Sequence, residues 1–186
     1  QFCLEWETAG FFIRDLRIPV LKKTDAEKRV CQLLREQVKT WEKKMGIPWD
    51  EDFFHYSHIL RNGEEKEQLK EAADFFCGRG LGLTPSGDDI LLGYECVLKA
   101  AGKADGHFLA SYLSETAVNK TTNVSQAYCR AADHGFVNED FKEFPLCAFG
   151  QGRSEEEDII EQLKNLGHTS GHDTLFGAFL GLERLN

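Results

Sequence analysis

The sequence predicts a mainly helical domain (α+β), built from two pseudo-equivalent helix–glycine loop–helix units behind a short N-terminal β-hairpin. Three observations predict it. From Thr24 onward, apolar residues recur at spacings of three and four, the signature of helix faces. Before that point the chain alternates instead. Finally, two polar glycine loops share one pattern: GLGLTPSGDD at Gly80–Asp89 and GHTSGHD at Gly167–Asp173.

In chain order, Phe2, Leu4 and Trp6 alternate with Cys3, Glu5 and Glu7, and a second β-prone run follows from Phe11 to Val20. This reads as a hairpin over residues 1–21. A hairpin alone is marginal in water, so it is expected to pack on the helices, on a partner, or, as the remnant of a β-rich N-terminal region, on a sheet with other strands. Residues 22–186 form the helical domain carrying both loops. Thr24 and Glu27 make a capping box, and Val30, Leu34, Val38, Trp41 and Met45 follow on one face. Gly46 and Pro48 stop that helix. Ile47–Asn62 reads as an aromatic-rich loop, followed by a helix over Glu64–Cys77. Asp89 is expected to cap a helix running to about Ala101. Further helices are expected over His107–Val118, Thr122–Asp133 and Asn138–Leu146. Ser154 and Glu157 suggest a capping box before Ile159, and Asp173 is expected to cap the last helix.

The chain has 186 residues and a net charge of −9. Nucleic-acid binding, which needs a basic face, is disfavoured, and so is a basic membrane-surface role. No apolar run reaches the length of a membrane-spanning helix. None of the six cysteines forms a CxxC pair, and most fall at apolar helical positions. They read as buried reduced thiols, which points to the cytoplasm.

The two loops align from Leu81 to Gly93 and from Leu166 to Gly177 once Pro85 is skipped, matching Leu, Gly, Thr, Ser, Gly, Asp, Leu and Gly in order. If the two units pack face to face, their helix starts meet. Glycines such as Gly80, Gly82, Gly87 and Gly171 let a ligand approach the backbone. Helix-start N–H groups suit an anion. The hydroxyls of Thr84, Ser86, Thr169 and Ser170 can donate to its oxygens, and His168 and His172 can carry charge or protons. Asp88, Asp89 and Asp173 repel a bare anion. They suit helix capping, a Mg²⁺ site, or the binding of amide or amino groups. Capping explains Asp89 and Asp173 as well as a metal does. Arg79 has the charge to pair with phosphate but equally suits a solvated surface.

The string from Gly78 to Asp89, GRGLGLTPSGDD, followed by Leu91 and Gly93, resembles the signature of the AllH family. The likeness extends through Thr121, Thr122 and Ser125 to Gly167–Gly171, Asp173 and Gly177. Family members read closer to GLGPGLTPSGDD and carry a longer N-terminal region. The resemblance implies a subunit of oxamate carbamoyltransferase, which converts oxalurate and phosphate to oxamate and carbamoyl phosphate late in anaerobic allantoin (purine) breakdown. It implies a cytoplasmic protein with other subunits as partners, and a small anionic substrate such as phosphate, carbamoyl phosphate, oxalurate or oxamate. On this reading Asp88, Asp89, His168 and Asp173 are the candidate catalytic groups. Gly80, Gly82, Thr84, Ser86, Gly87, Thr169, Ser170, Gly171 and His172 are the candidate substrate contacts. Two other readings stay open. One is a Mg²⁺-dependent hydrolase using Asp88, Asp89 and Asp173. The other is a non-catalytic assembly subunit docking through the aromatic stretch from Trp49 to Tyr56.

Overall fold

A computed structural model describes residues 15–116 and 119–186. Among the described residues it is helical, with nine α-helices, a 3₁₀ turn at Glu42–Lys44 and no strand. All but the last residues of the expected hairpin fall outside the described residues. Those last residues run extended along the helical body. Arg17 makes an antiparallel bridge with Phe136, and Ile18 N–H donates to Gly135 C=O at 2.7 Å.

The helices are α1 (Asp25–Val38), α2 (Glu51–Asn62), α3 (Lys66–Phe76), α4 (Ser86–Ala100), α5 (Ala104–Thr116), α6 (Asn123–Asp133), α7 (Glu139–Ala148), α8 (Glu156–Lys164) and α9 (Ser170–Leu185). At the start of α1 the expected Thr24/Glu27 capping box is present. Thr122 and Asn138 cap α6 and α7, each accepting from the backbone three residues on.

Five expectations need correction. The first helix does not run on to Gly46: α1 ends at Val38, and Trp41 and Met45 flank the 3₁₀ turn at Glu42–Lys44. Ile47–Asn62 is not a loop: α2 occupies Glu51–Asn62, with the Asp50 carboxylate accepting from Phe53 N–H at 2.8 Å. Aromatic residues weaken local helix propensity, but Phe53 is wholly buried against Phe76 and Phe176, and that burial outweighs the local preference. Asp89 and Asp173 are not caps, because α4 begins at Ser86 and α9 at Ser170. Pro85 brings the chain into α4, its carbonyl accepting from both Asp88 and Asp89 N–H, so the polar string is already helical. Finally, Glu155 rather than Ser154 precedes α8, without a side-chain cap.

At the centre of the molecule, α4 lies against α9, with the remaining helices around the pair. The two run parallel, since Ser86 meets Thr169, Ile90 meets Gly177 and Tyr94 meets Gly181. Their contact is backbone to backbone. A Cβ built on Gly93 would sit 2.0 Å from Thr174 O, and one on Gly177 would sit 1.8 Å from Ile90 O. Every residue of α4 except Leu92 is buried. α5 and α6 cover one side, α1 and α8 lie on α9, and α2 and α3 close the base. Glu183 of α9 ties in two neighbours, accepting from Arg35 of α1 at 2.9 Å and Arg61 of α2 at 2.6 Å. Cys31, Cys77, Cys96, Cys129 and Cys147 are buried free thiols. Among the described residues no helix is long and apolar enough to cross a membrane.

Candidate functional site

The parallel run of α4 and α9 sets their first turns side by side. Thr84 Oγ1 lies 3.4 Å from Ser170 Oγ, and Ser86 Oγ lies 3.5 Å from Thr169 Oγ1. Beside them opens a cavity of about 400 Å³, within the range of small-molecule sites. Thr84, Asp89, Gly167, Ser170, Gly171 and Thr174 form its upper end. Leu92, Glu95, Cys96 and Lys99 continue it down one face of α4, at the three- and four-residue spacing of a helix. Tyr128 and Ala132 of α6, Asn138 before α7, Asp140 and Phe141 of α7, and Leu16 and Ile18 supply other walls.

The three aspartates have separate surroundings. Asp88 is a staple: Oδ1 accepts from Gly78 N–H at 2.7 Å, and Oδ2 accepts from the Thr121 hydroxyl. This fixes the glycine turn and the approach to α6 against α4. Asp173 is fully buried and accepts from Gly46 N–H at 3.2 Å, away from the cavity. Burial raises its pKa, while bonds from Ser86, Thr169 and Gly46 oppose the rise. Asp89 lines the cavity, and its Oδ2 is buried without a hydrogen-bond partner among the described residues. Burial pushes its carboxyl up to about 7; the Asp173 and Asp88 charges add to that, and the Ser170 and Thr84 hydroxyls oppose it. Such a group exchanges a proton near neutrality. Among the described residues no group of three His, Cys, Asp or Glu side chains is arranged to hold a metal ion.

Of the residues expected from sequence, Thr84, Asp89, Ser170 and Gly171 border the cavity. The others do not line it. Gly87 and Gly171 pack on the preceding helix ends, where a Cβ would sit 1.9 Å from Phe76 O and 1.9 Å from Leu163 O respectively. Gly80 presses on Ser86, while Gly82 faces open space with φ +98°. His168 is exposed. His172 packs edge-on against Trp41 at 5.3 Å, and burial together with Lys164 and Lys44 lowers its pKa. The helix-start N–H groups are less free than expected. Gly87 N–H donates to Arg79 O, Asp88 and Asp89 to Pro85 O, and Gly171 to Leu166 O. The cavity's recognition groups are therefore mostly side chains.

Sequence reasoning passed over Glu95 and Lys99. Glu95 is 1% exposed, and both its carboxylate oxygens lack hydrogen-bond partners among the described residues. Burial pushes it up to about 8, against the pull of Lys99. The Lys99 ammonium donates instead to the backbone carbonyls of Ala132 and Asp133. A Glu–Lys pair four apart reads as a surface ion pair; the signal against that reading was the apolar sequence on every side of it. The aromatic stretch is divided: Phe53 is buried, Trp49 and Tyr56 are half-buried, and Phe54 and His55 are exposed. Trp49 stacks on Phe53 at 5.5 Å, and of this cluster Phe54, 55% exposed, points outward.

The family model described as oxamate carbamoyltransferase subunit AllH matches residues 76–182. The chain belongs to the AllH family. No solved structure matches it. The match contains both glycine loops, α4, nearly all of α9 and, of the cavity residues, all but Leu16 and Ile18. The AllH segment is thus also the part of the molecule that builds the cavity.

Proposed function

We propose that this chain is the oxamate carbamoyltransferase subunit that holds the small substrate, with the cavity beside α4 and α9 as its seat. The observation carrying this reading is Asp89: a buried carboxyl, unpartnered at one oxygen and pushed up to about 7, lining a cavity of about 400 Å³ inside the AllH segment. In the reaction oxalurate + phosphate → oxamate + carbamoyl phosphate, a phosphate oxygen bonds to the carbamoyl carbon. The carbon–nitrogen bond then breaks, and the departing oxamate nitrogen takes up a proton. Asp89 is the group placed to give that proton. Thr84 and Ser170 supply hydroxyls that stabilise charge on the carbamoyl oxygen as it develops. The setting that goes with this reading is allantoin breakdown in the cytoplasm, in complex with other subunits. A role for Asp88 and Asp173 in metal-dependent hydrolysis finds no such support, since Asp88 is spent on Gly78 and Thr121, and Asp173, with one oxygen accepting from Gly46 and the other unpartnered among the described residues, does not line the cavity.

The test is calorimetric titration of oxamate, oxalurate, phosphate and carbamoyl phosphate, with and without partner subunits, beside turnover of the reconstituted complex. Wild type binds at least one of these ligands. Asp89→Asn retains binding but loses about 10²–10⁴-fold in kcat, the usual range for a positioned acid. Full turnover in Asp89→Asn, or no binding in any combination, rejects the proposal.

A further inference from the structure

We propose that Glu95 is the specificity residue of this cavity and that it recognises the ligand's primary amide through a paired, two-bond contact. The inference rests on the proposed function, because it describes the substrate class of the same cavity.

Three observations support it. Glu95 lines the cavity from the middle of α4, about one and two-thirds helical turns beyond Asp89. Both of its oxygens are buried and hydrogen-bond to no described residue. A buried polar group left unsatisfied keeps the cost of its lost hydration, so a native site normally supplies a partner. The obvious internal partner is otherwise engaged, since the Lys99 ammonium is held by the Ala132 and Asp133 carbonyls of α6.

The chemistry of the walls narrows the ligand. Charged groups around the cavity are Asp89, Glu95 and Asp140 against Lys99. That balance disfavours a bare anion deep inside. Burial, reinforced by Asp133, favours a neutral Glu95 carboxyl near pH 7. A neutral carboxyl carries one donor and one acceptor side by side. A primary amide, R–CO–NH₂, presents the complementary pair: its carbonyl accepts from the acid O–H while its N–H donates to the acid C=O. Leu92 lies one turn nearer the helix start and supplies an apolar wall beside this contact.

The experiment uses the full chain in complex with its partner subunits and two probes of equal charge and nearly equal shape. Oxamate carries the amide; pyruvate has a methyl group in place of the NH₂. Wild type is expected to favour oxamate by about tenfold or more, the worth of one well-made buried hydrogen bond. Glu95→Gln, whose amide also offers one donor and one acceptor, keeps that preference. Glu95→Met, similar in volume but without either, brings the ratio to about one. In the wild type, the NH₂ protons of ¹⁵N-oxamate give NOEs to the Leu92 methyl groups, a readout that needs no variant to fold. Equal affinities for the two probes in wild type, an unchanged ratio in Glu95→Met, or missing NOEs from bound oxamate overturns the inference while leaving the proposed function standing. Loss of the preference in Glu95→Gln also overturns it, since that result requires an ionised carboxylate. If the wild type binds neither these probes nor the substrates above, both readings fall together.

Discussion

Substituting Gly177 with alanine tests the central packing. A Cβ there would lie 1.8 Å from Ile90 O, whereas real Cβ contacts essentially never fall under 3.0 Å, so α4 and α9 must part by roughly 3.0 − 1.8 = 1.2 Å. The obstacle is backbone, which cannot rotate aside as a side-chain tip can. A gap of that order forfeits a quarter to a half of each dispersion contact along the seam. Overpacking of this kind costs about 1–3 kcal/mol and sometimes more. Alanine's better helix propensity returns only about 1 kcal/mol. With a backbone obstacle the cost falls at the upper end, about 3 kcal/mol, so the net expectation is a loss of about 2 kcal/mol, or a fall in Tm of about 4–8 °C for a chain of this size. Circular dichroism melts and urea titrations measure it. Gly82→Ala is the comparison: nothing lies within 4 Å of its Cβ, and the positive φ of +98° is its only cost. Gly177→Ala melting at or above wild type would falsify the account of the α4–α9 seam.

Two further outcomes are expected. Glu95 ionises near 4.5 when exposed and near 8 in the fold, so the native state holds an extra proton between those values. Its contribution to stability is fully present below about pH 4.5 and is lost as pH rises through about 8; Asp89, raised from 3.8 to about 7, acts in the same direction. Urea midpoints should fall across this window, and Glu95→Gln should flatten the slope; an identical slope contradicts the assignment. The thiols of Cys77 and Cys96 are pushed up to about 12 by burial, and that of Cys147 to about 11. In a Cys3→Ser chain, Ellman's reagent at pH 8 should therefore react with none of the thiols before unfolding, and rapid native labelling would show that the helices open far more often than this packing allows.

Local rules made several parts of the fold readable. The Thr24/Glu27 box located the start of α1, though not its end, and the periodic apolar residues located α3, α5, α6 and α7 to within a few residues. The shared Thr-Ser-Gly-Asp string drew attention to two helix starts that do lie side by side. What stayed hidden depends on distant partners. Phe53 and its neighbours look like loop aromatics until Phe76 and Phe176 are beside them. Asp89 and Asp173 look like caps because the preference for such residues at helix starts does not say which one comes first. Glu95 and Lys99 look solvated because only the tertiary fold covers α4 on all sides. In the candidate site, Asp89 and Thr84 were legible from the glycine loop, whereas the lower cavity wall exists only once α6 and α7 have packed.

The seam between Gly93 and Gly177 also bears on how the protein is made. Its two halves are 84 positions apart in the chain (177 − 93), so the most buried helix waits for its closest companion until residues 170–185 leave the ribosome. At about 5–20 residues per second the delay is roughly 4–17 s. Throughout that interval α4 can gather α3, α5 and α6 but keeps the face that α9 covers exposed, which makes the nascent chain a natural client for chaperones during translation.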